Sequence, residues 1–269
     1  MRLLPIPISQ QHSTPMDIED FWEGAPDLVL DVEQSWNEFI DSQGGERVDK
    51  HVGKSPSFDN ADYIFQDDKI VIELKEIQTE FANKPAFREK FSLLTRNLIE
   101  REPDFFPFRN SLPRWFVQEY IRIFRPPLSR TLKKANKQIR ETKHHFGIKT
   151  PTGIAVFAND GFVWLGPEEV LSLASNILMN SYSSIDCFIY LTVNRYVGVR
   201  GSNEPKLIWA PVYSDRVQDK ICDFVNLLGE KWVDYLEKKL GPFTSRVQTD
   251  DGSFFRGAKP IVLPNEKIG

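Results

Sequence analysis

Apolar residues recur along the chain at two spacings, which predict an alternation of helices and strands. Between residues 31 and 42, Val32, Trp36 and Phe39 recur at the three- to four-residue interval of an amphipathic helix, and Gly44 ends the pattern. Short apolar runs bounded by turn residues predict strands. Helices are predicted over residues 31–42, 129–146, 167–180 and 215–240, and strands over 47–52, 62–65, 70–77, 153–158, 162–165, 187–193 and 207–213. This order is typical of an α/β fold.

Residues 79–128 depart from this alternation and are interpreted as an inserted helical subdomain. Their pattern is helical, but Pro103, Pro107 and Pro113 interrupt it. The segment holds ten aromatic residues, namely Phe81, Phe87, Phe91, Phe105, Phe106, Phe108, Trp115, Phe116, Tyr120 and Phe124. The favoured interpretation is that these rings fill the core of a small helical lobe. The alternatives are stacking on unpaired bases and an interface for a homodimer or a protein partner.

Length and composition indicate a folded protein with a substantial core. The chain has 269 residues, of which 41% are hydrophobic and 27% charged. Residues 1–26 carry four prolines in mostly polar surroundings and are interpreted as an extended arm, whereas residues 27–269 are interpreted as one domain with the helical insertion. No apolar run is long enough to span a membrane, and the first residues do not resemble a secretory signal.

The two cysteines, Cys187 and Cys222, fall in apolar segments. Two cysteines in a chain of this length do not form a disulfide framework, so a reducing cytoplasm is the expected location. Both thiols are predicted to lie in the core rather than to act as nucleophiles.

Charge is distributed unevenly, although the net charge is only −4. Residues 1–46 contain ten acidic residues and one basic residue, whereas residues 122–149 contain nine basic residues and one acidic residue. Nucleic-acid binding requires a local basic surface, so overall acidity does not exclude a polyanionic partner. In the predicted helix 129–146, Lys133, Lys137 and Arg140 recur opposite the apolar stripe, where they can follow a phosphate backbone or simply form a solvated face.

The segment around residues 62–77 predicts a β-hairpin with an acidic pair. Two hydrophobic runs flank the polar turn Asp67–Asp68, and the simplest register pairs Phe65 with Ile70. That register places Asp62 opposite Glu73, with Cβ atoms about 4.5–5.5 Å apart. Lys75 follows Glu73 by two residues and therefore points to the same face of the strand.

Two carboxylates at this separation repel one another unless a cation lies between them. The strand around Glu73 is apolar on both faces, which is typical of a central strand covered on both sides. Charged groups there are costly to bury unless they are paired or bind a metal. Mg²⁺ binds carboxylate oxygens together with water and phosphate, so the group suits hydrolysis of a phosphodiester. The alternative is a surface hairpin with an ordinary Glu–Lys face.

Asp62 at the start of a hydrophobic strand, followed eleven residues later by Glu73-Leu74-Lys75, resembles the PD-(D/E)xK nuclease superfamily. The resemblance implies a restriction-endonuclease-like core of helix, three strands, helix and strand over about residues 28–165, with a central mixed β-sheet flanked by helices and the helical insertion before the second helix. The proline that usually precedes the first acid is absent, because Ala61 stands there and the nearest proline is Pro56.

The resemblance also implies roles for individual residues. Asp62 and Glu73 would bind the metal and Lys75 would be the catalytic lysine. Glu33, on the first helix, would be a further metal-binding acid, with Glu38 as a weaker candidate. On the second helix, Gln138 or Lys134 would lie near the metal. Asp59 competes with Asp62 for the first position, or else supports the metal through water or caps a turn. The nucleic-acid-binding candidates are therefore Lys133, Lys134, Lys137, Gln138 and Arg140.

The function implied is that of a Mg²⁺-dependent nuclease in which Mn²⁺ can substitute, acting on DNA as an endonuclease in genome defence or repair. A second hypothesis is a non-catalytic nucleic-acid-binding or assembly module that retains the fold. A third is an unrelated α/β interaction protein that docks through its aromatic lobe. Non-catalytic descendants usually lose an acid or the lysine, so the presence of all three residues favours catalysis.

Overall fold

Helices and strands alternate along the chain in the computed structural model, which describes residues 29–53, 56–77, 84–103, 112–199, 202 and 204–260. The helices are α1 (Val32–Ser42), α2 (Asp49–Val52), α3 (Pro85–Arg101), α4 (Arg114–His145), α5 (Pro167–Ser181) and α6 (Asp219–Leu240), followed by a 3₁₀ turn at Gly252–Phe255. The strands are β1 (Glu46–Arg47), β2 (Tyr63–Phe65), β3 (Ile70–Ile77), β4 (Thr152–Asn159), β5 (Cys187–Thr192), β6 (Val197–Gly198), β7 (Trp209–Tyr213) and β8 (Lys259–Pro260). The predicted arm, residues 1–26, lies outside the described residues.

Six of the strands form one mixed sheet in the order β1-β2-β3-β4-β5-β7. The central strands β3, β4 and β5 are parallel, whereas β1, β2 and β7 run antiparallel to their neighbours. The strands β6 and β8 form a separate antiparallel pair. The predicted α/β class with a central mixed sheet is confirmed.

Each face of the sheet is covered by helices, and the two cores are made by alternate residues of the strands. On β3, Ile70, Ile72 and Leu74 join the core that contains α1 and α6. Val71 and Ile77 join the other core, which contains α4 and α5. Because side chains alternate along a strand, residues 73 and 75 belong to the α4 side. The prediction of a strand covered on both faces is therefore confirmed for β3.

Helix α4 begins at Arg114, not at residue 129 as predicted, and it continues through Pro126 and Pro127. Proline in a helix removes a hydrogen bond and normally favours an end. Here the apolar stripe continues on both sides of the pair, because Phe124 and Leu132 are both buried in the same core. Packing of that stripe outweighs the local cost.

The described aromatic residues of the insertion fill a core, as predicted, but most of them join the main core and not that of a separate small lobe. Phe87 and Phe124 are buried in the main core on the α4 side, and their ring centroids are 5.1 Å apart. Phe116 packs in a small separate cluster between α3 and α4 with Leu94 and Leu98. Residues 79–83 and 104–111 of the insertion lie outside the described residues.

Two predicted strands are wrong. Residues 47–52 form the last residue of β1, Arg47, and the single helical turn α2, which ends at Gly53 with φ of 78°. Residues 162–165 are not a strand, because the side-chain oxygen of Asn159 accepts hydrogen bonds from the backbone N–H groups of Gly161 and Phe162 and turns the chain.

Other boundaries differ by a few residues, since β7 begins at Trp209 and α6 at Asp219, and the tail predicted to be loop contains the 3₁₀ turn and β8. Cys187 and Cys222 are buried, as predicted. Within the described ranges, none of the helices combines the length and apolar character that crossing a bilayer requires.

Candidate active site

The β2–β3 hairpin has the predicted register. Phe65 pairs with Ile70 and Tyr63 pairs with Ile72, and the turn is closed by a hydrogen bond from the Lys69 N–H to the Gln66 carbonyl, at 3.2 Å. Asp62 immediately precedes Tyr63. One further step of the same register therefore brings Asp62 beside Glu73, on the α4 side of the sheet.

Asp62 is held in place by the backbone of β3. The backbone pairing between β2 and β3 ends at Ile72. Two residues further along β3, the Leu74 N–H donates a hydrogen bond to the Asp62 carboxylate oxygen Oδ2, at 2.8 Å. The carboxylate thus takes the place of a strand carbonyl. A charge-assisted bond of this kind fixes the orientation of the acid.

Glu73 is fully buried, with 0% of its side chain exposed. Its Oε1 atom forms an ion pair with the Nζ of Lys75. Its Oε2 atom is buried and has no hydrogen-bond partner among the described residues. A buried carboxylate oxygen without a donor is costly. The Asp62 and Glu73 carboxyl groups are close enough to share a hydrogen bond when one of them is protonated, and a cation bound between them would relieve the same repulsion.

The pKa values of Asp62 and Glu73 reflect their burial and their proximity. Burial is the largest effect on Glu73, followed by the nearby Asp62 carboxylate. Together they raise the pKa of Glu73 to about 8, although the Lys75 ammonium acts in the opposite direction. Burial also raises the pKa of Asp62, against the Lys75 charge and the bond from Leu74. Burial and mutual repulsion thus favour a protonated form of both acids.

A pocket of about 320 Å³ opens beside the acids. Asp62 and Lys75 line it, and the Lys75 side chain is 18% exposed. Glu33, in the first turn of α1, lines the same pocket and is exposed. Among the described residues, however, no three His, Cys, Asp or Glu side chains are close enough to form a metal-binding group. The structure therefore brings together Asp62, Glu73 and Lys75, and it places Glu33 at their pocket without adding it to such a group.

Asp59, the rival of Asp62, and Glu38, the weaker alternative to Glu33, are both engaged elsewhere. Asp59 is exposed and accepts a hydrogen bond from Lys137 Nζ at 2.6 Å, which lowers its pKa. Glu38 accepts hydrogen bonds from Tyr235 and Lys239, each at 2.9 Å, and the Lys239 contact leads the effects that lower its pKa to about 2. Asp62 is therefore the acid that the fold places beside Glu73.

The candidate nucleic-acid-binding residues of α4 fall into two groups. The side chains of Lys133, Lys134, Lys137 and Arg140 are exposed, and none of them is among the residues that line the pocket. Gln138 is half-buried, and its Nε2 donates to the Asn60 carbonyl at 2.9 Å, so it supports the loop that leads into Asp62. Contact of these residues with phosphates stays a prediction.

Sequence reasoning missed a second support for that loop. The hydroxyl Oγ1 of Thr142 accepts a hydrogen bond from the Ala61 N–H at 2.7 Å, and both residues are fully buried. The available signal was a polar residue on the apolar stripe of α4, three positions after Ile139. Only the fold shows that this hydroxyl reaches a residue more than 80 positions earlier.

Replacing Thr142 with valine is expected to lower the free energy of unfolding by about 1–3 kcal/mol, since the buried Ala61 N–H would lose its acceptor. Urea denaturation measures the difference. Thr131→Val is the matched control, because the Thr131 hydroxyl bonds only to Pro127 in its own helix, at 3.2 Å. Equal stability of the two variants would contradict the supporting role of Thr142.

No family model, curated protein or solved structure matches the chain. The chemistry of the site follows from its donor set. Asp62 and Glu73 supply hard carboxylate oxygens, one of them without a partner, and Mg²⁺ usually takes one or two carboxylates and completes its shell with water and substrate phosphate. The residues present thus fit a single Mg²⁺ or Mn²⁺ ion.

Proposed function

We propose that the protein is a Mg²⁺-dependent nuclease of the PD-(D/E)xK type that hydrolyses phosphodiester bonds, with DNA as the preferred substrate. The observation that carries this proposal is the convergence of Asp62, Glu73 and Lys75, with one buried Glu73 oxygen lacking a partner. An acidic pair that is unstable by itself, beside a lysine and an open pocket, suits the binding of a divalent ion and a phosphate.

The order of the elements supports the same proposal. Helix α1, strands β1 to β3, helix α4 and strand β4 follow one another in the order expected of the restriction-endonuclease-like core, with the short helix α2 inserted between β1 and β2 and α3 inserted before α4. The setting of genome defence or repair rests on the resemblance of the motif alone.

In this proposal Asp62 and Glu73 hold the metal. The bound ion would make a water molecule more acidic and neutralise charge on the phosphate. The Leu74 N–H keeps Asp62 in a fixed orientation, and burial on all sides does the same for Glu73. Such preorganisation means that little rearrangement is needed when the substrate arrives.

Lys75 has a separate task. Its ammonium group lies at the pocket wall and pairs with Glu73. From there it can orient the attacking water and donate to a phosphate oxygen that gains negative charge, and such donors in a site shielded from water stabilise the transition state strongly. Glu33, exposed at the same pocket, remains a predicted further acid of the metal site.

The test is to incubate the purified chain with plasmid, linear duplex and single-stranded DNA and with RNA, in the presence of Mg²⁺, Mn²⁺ or EDTA. We expect cleavage that requires the metal and that EDTA abolishes. Binding without cleavage under all conditions would favour the non-catalytic nucleic-acid-binding module. Absence of binding would favour the unrelated interaction protein.

Asp62→Asn is expected to reduce cleavage about tenfold or more, because one of two metal-binding carboxylates is lost. Asp59→Asn is the matched control, since that acid lies three residues away but pairs with Lys137. We expect it to retain nearly full activity. Loss of activity in Asp59→Asn with retention in Asp62→Asn would contradict the site assignment.

A further inference from the structure

A second concave surface lies between α3 and the first half of α4. This groove has a volume of about 640 Å³, within the ~300–1,000 Å³ range typical of ligand pockets. Its floor is apolar and includes Phe87, Leu94, Trp115 and Ile123. Leu93, on its edge, is 53% exposed although it is a large hydrophobic residue.

The rim of the groove is strongly basic. Lys84, Lys90, Arg101, Arg122 and Arg130 line it and are all exposed. The one carboxylate among its described lining residues, Glu119, is paired with Arg122. Within the described part of the chain, no carboxylate pairs with Lys84, Lys90 or Arg130. An apolar floor under uncompensated cations is complementary to a polyanion that carries flat apolar groups.

A third cavity, of about 360 Å³, lies between the groove and the candidate active site. It shares Glu76 with the acidic pocket, and it shares Lys84 and Pro127 with the groove. The three concave surfaces therefore neighbour one another along the same side of the molecule.

We propose that the α3–α4 groove binds an unpaired strand of nucleic acid and leads it to the Asp62–Glu73 pair, so that the substrate carries a single-stranded segment beside the scissile bond. This inference rests on the proposed nuclease function. Unpaired bases can lie on the apolar floor while the rim cations contact the phosphates. The guanidinium of Arg101 lies over the Trp115 ring, 4.8 Å from its centroid, so a base would stack on this Arg101–Trp115 pair rather than on a bare ring. In a duplex the faces of the bases are stacked on one another, so they are not exposed to contact the apolar floor.

The same charges disfavour a second copy of the chain as the occupant. In a two-fold symmetric dimer the same patch is present on both partners, so the basic rim of one copy, with Lys90 and Arg130, would face the basic rim of the other. The like charges would then be brought together over an apolar contact, where their repulsion is weakly screened.

The test is a fluorescence-anisotropy titration of the full chain in EDTA, which prevents metal-dependent cleavage. The probes are short single-stranded DNA, single-stranded RNA of the same sequence and the blunt DNA duplex. We expect the unpaired strands to bind at least about tenfold more tightly than the duplex, with stronger salt dependence than a neutral ligand. Equal or tighter binding of the duplex would overturn the inference.

Two substitutions address the groove directly. The double variant Lys90→Glu with Arg130→Glu is expected to weaken binding of single-stranded DNA by about tenfold or more and to reduce the salt slope by about two. Lys220→Glu with Lys238→Glu, on α6 across the sheet, is the matched control and should bind normally. Trp115→Ala should cost roughly tenfold through lost stacking. Normal binding of single-stranded DNA by the groove variants would overturn the inference. The same holds if polyglutamate competes with the labelled DNA as effectively as unlabelled single-stranded DNA does.

A cleavage assay separates this inference from the proposed function. Metal-dependent cleavage of blunt duplex that the groove variants do not alter would remove the groove inference and leave the nuclease proposal standing. Groove-dependent binding of single strands, without cleavage in Mg²⁺ or Mn²⁺, would support the groove as a binding site and remove the nuclease proposal.

Discussion

Glu73→Gln is expected to abolish cleavage and, in EDTA, to raise the free energy of unfolding near pH 8, by an amount that reaches about 4 kcal/mol if the whole pKa difference is realised. The carboxylate is fully buried beside Asp62, and its pKa is raised to about 8. Glutamine has nearly the same shape and can still accept the hydrogen bond from Lys75. The substitution therefore removes the buried charge without leaving a cavity.

The pH dependence has a definite sign. In the unfolded chain the pKa of Glu73 returns to about 4.5, whereas in the folded chain it is about 8. At pH values between these two pKa values, Glu73 takes up a proton when the chain folds. The free energy of unfolding of the wild type should therefore fall as the pH rises from about 5 to 8. Glu73→Gln should show a flatter profile, with the remaining slope due to Asp62, whose pKa is also raised.

Urea denaturation in EDTA at several pH values measures both effects. Adding Mn²⁺ should stabilise the wild type through binding to the folded state and should have little effect on Glu73→Gln. Glu38→Gln is the control of opposite sign, because contacts led by Lys239 lower the pKa of that exposed acid to about 2. A Glu73→Gln variant that is less stable than the wild type, with an unchanged pH profile, would contradict this account of the acidic pair.

Lys75→Met should reduce the cleavage rate by about 10²–10³-fold, because a charged donor aimed at the reacting phosphate is lost. The methionine side chain retains most of the apolar stem of lysine. Asp62 and Glu73 remain in place, so binding of Mn²⁺ should change far less than the rate.

Single-turnover cleavage and calorimetric titration with Mn²⁺ separate the two quantities. Lys238→Met, at an exposed position of α6, is the matched control and should cleave at the wild-type rate. A parallel loss of Mn²⁺ affinity and rate in Lys75→Met would show that the lysine acts by organising the metal ligands and not on the phosphate.

The hairpin could be predicted because its determinants are local. A two-residue turn and the two-residue period of a strand fix the pairing of residues 62–77, and the same period assigns Glu73 and Lys75 to one face. The choice of Asp62 over Asp59 depended on that register, and the structure places Asp62 beside Glu73.

Long-range features of the site could not be predicted in this way. The hydrogen bonds from Gln138 to Asn60 and from Ala61 to Thr142 join segments about 80 residues apart. The pocket wall also includes Arg47, from a segment predicted as a longer strand. These contacts depend on how α4 lies on the sheet. The periodicity of one segment carries no information about the position of that segment relative to another.

Helix α4 also shows why a boundary rule failed. Prolines predict a break because they lack an N–H group, yet the stripe from Phe116 through Phe124 to Ile139 stays buried along the full helix. Tertiary packing of this stripe outweighs the tendency of proline to end a helix, and a prediction from one segment does not include tertiary packing.

The continuous helix α4 connects the α3–α4 groove with the loop that leads into Asp62. Its 32 residues span about 48 Å, with Trp115 near one end and Gln138 near the other. Pro126 and Pro127 lie between them and cannot donate to the carbonyls of the preceding turn, so this is the most easily bent section of the rod. We expect a strand that pulls on the Trp115 end to change the helix angle there first, and to leave the Thr142 end, anchored at Ala61, in place.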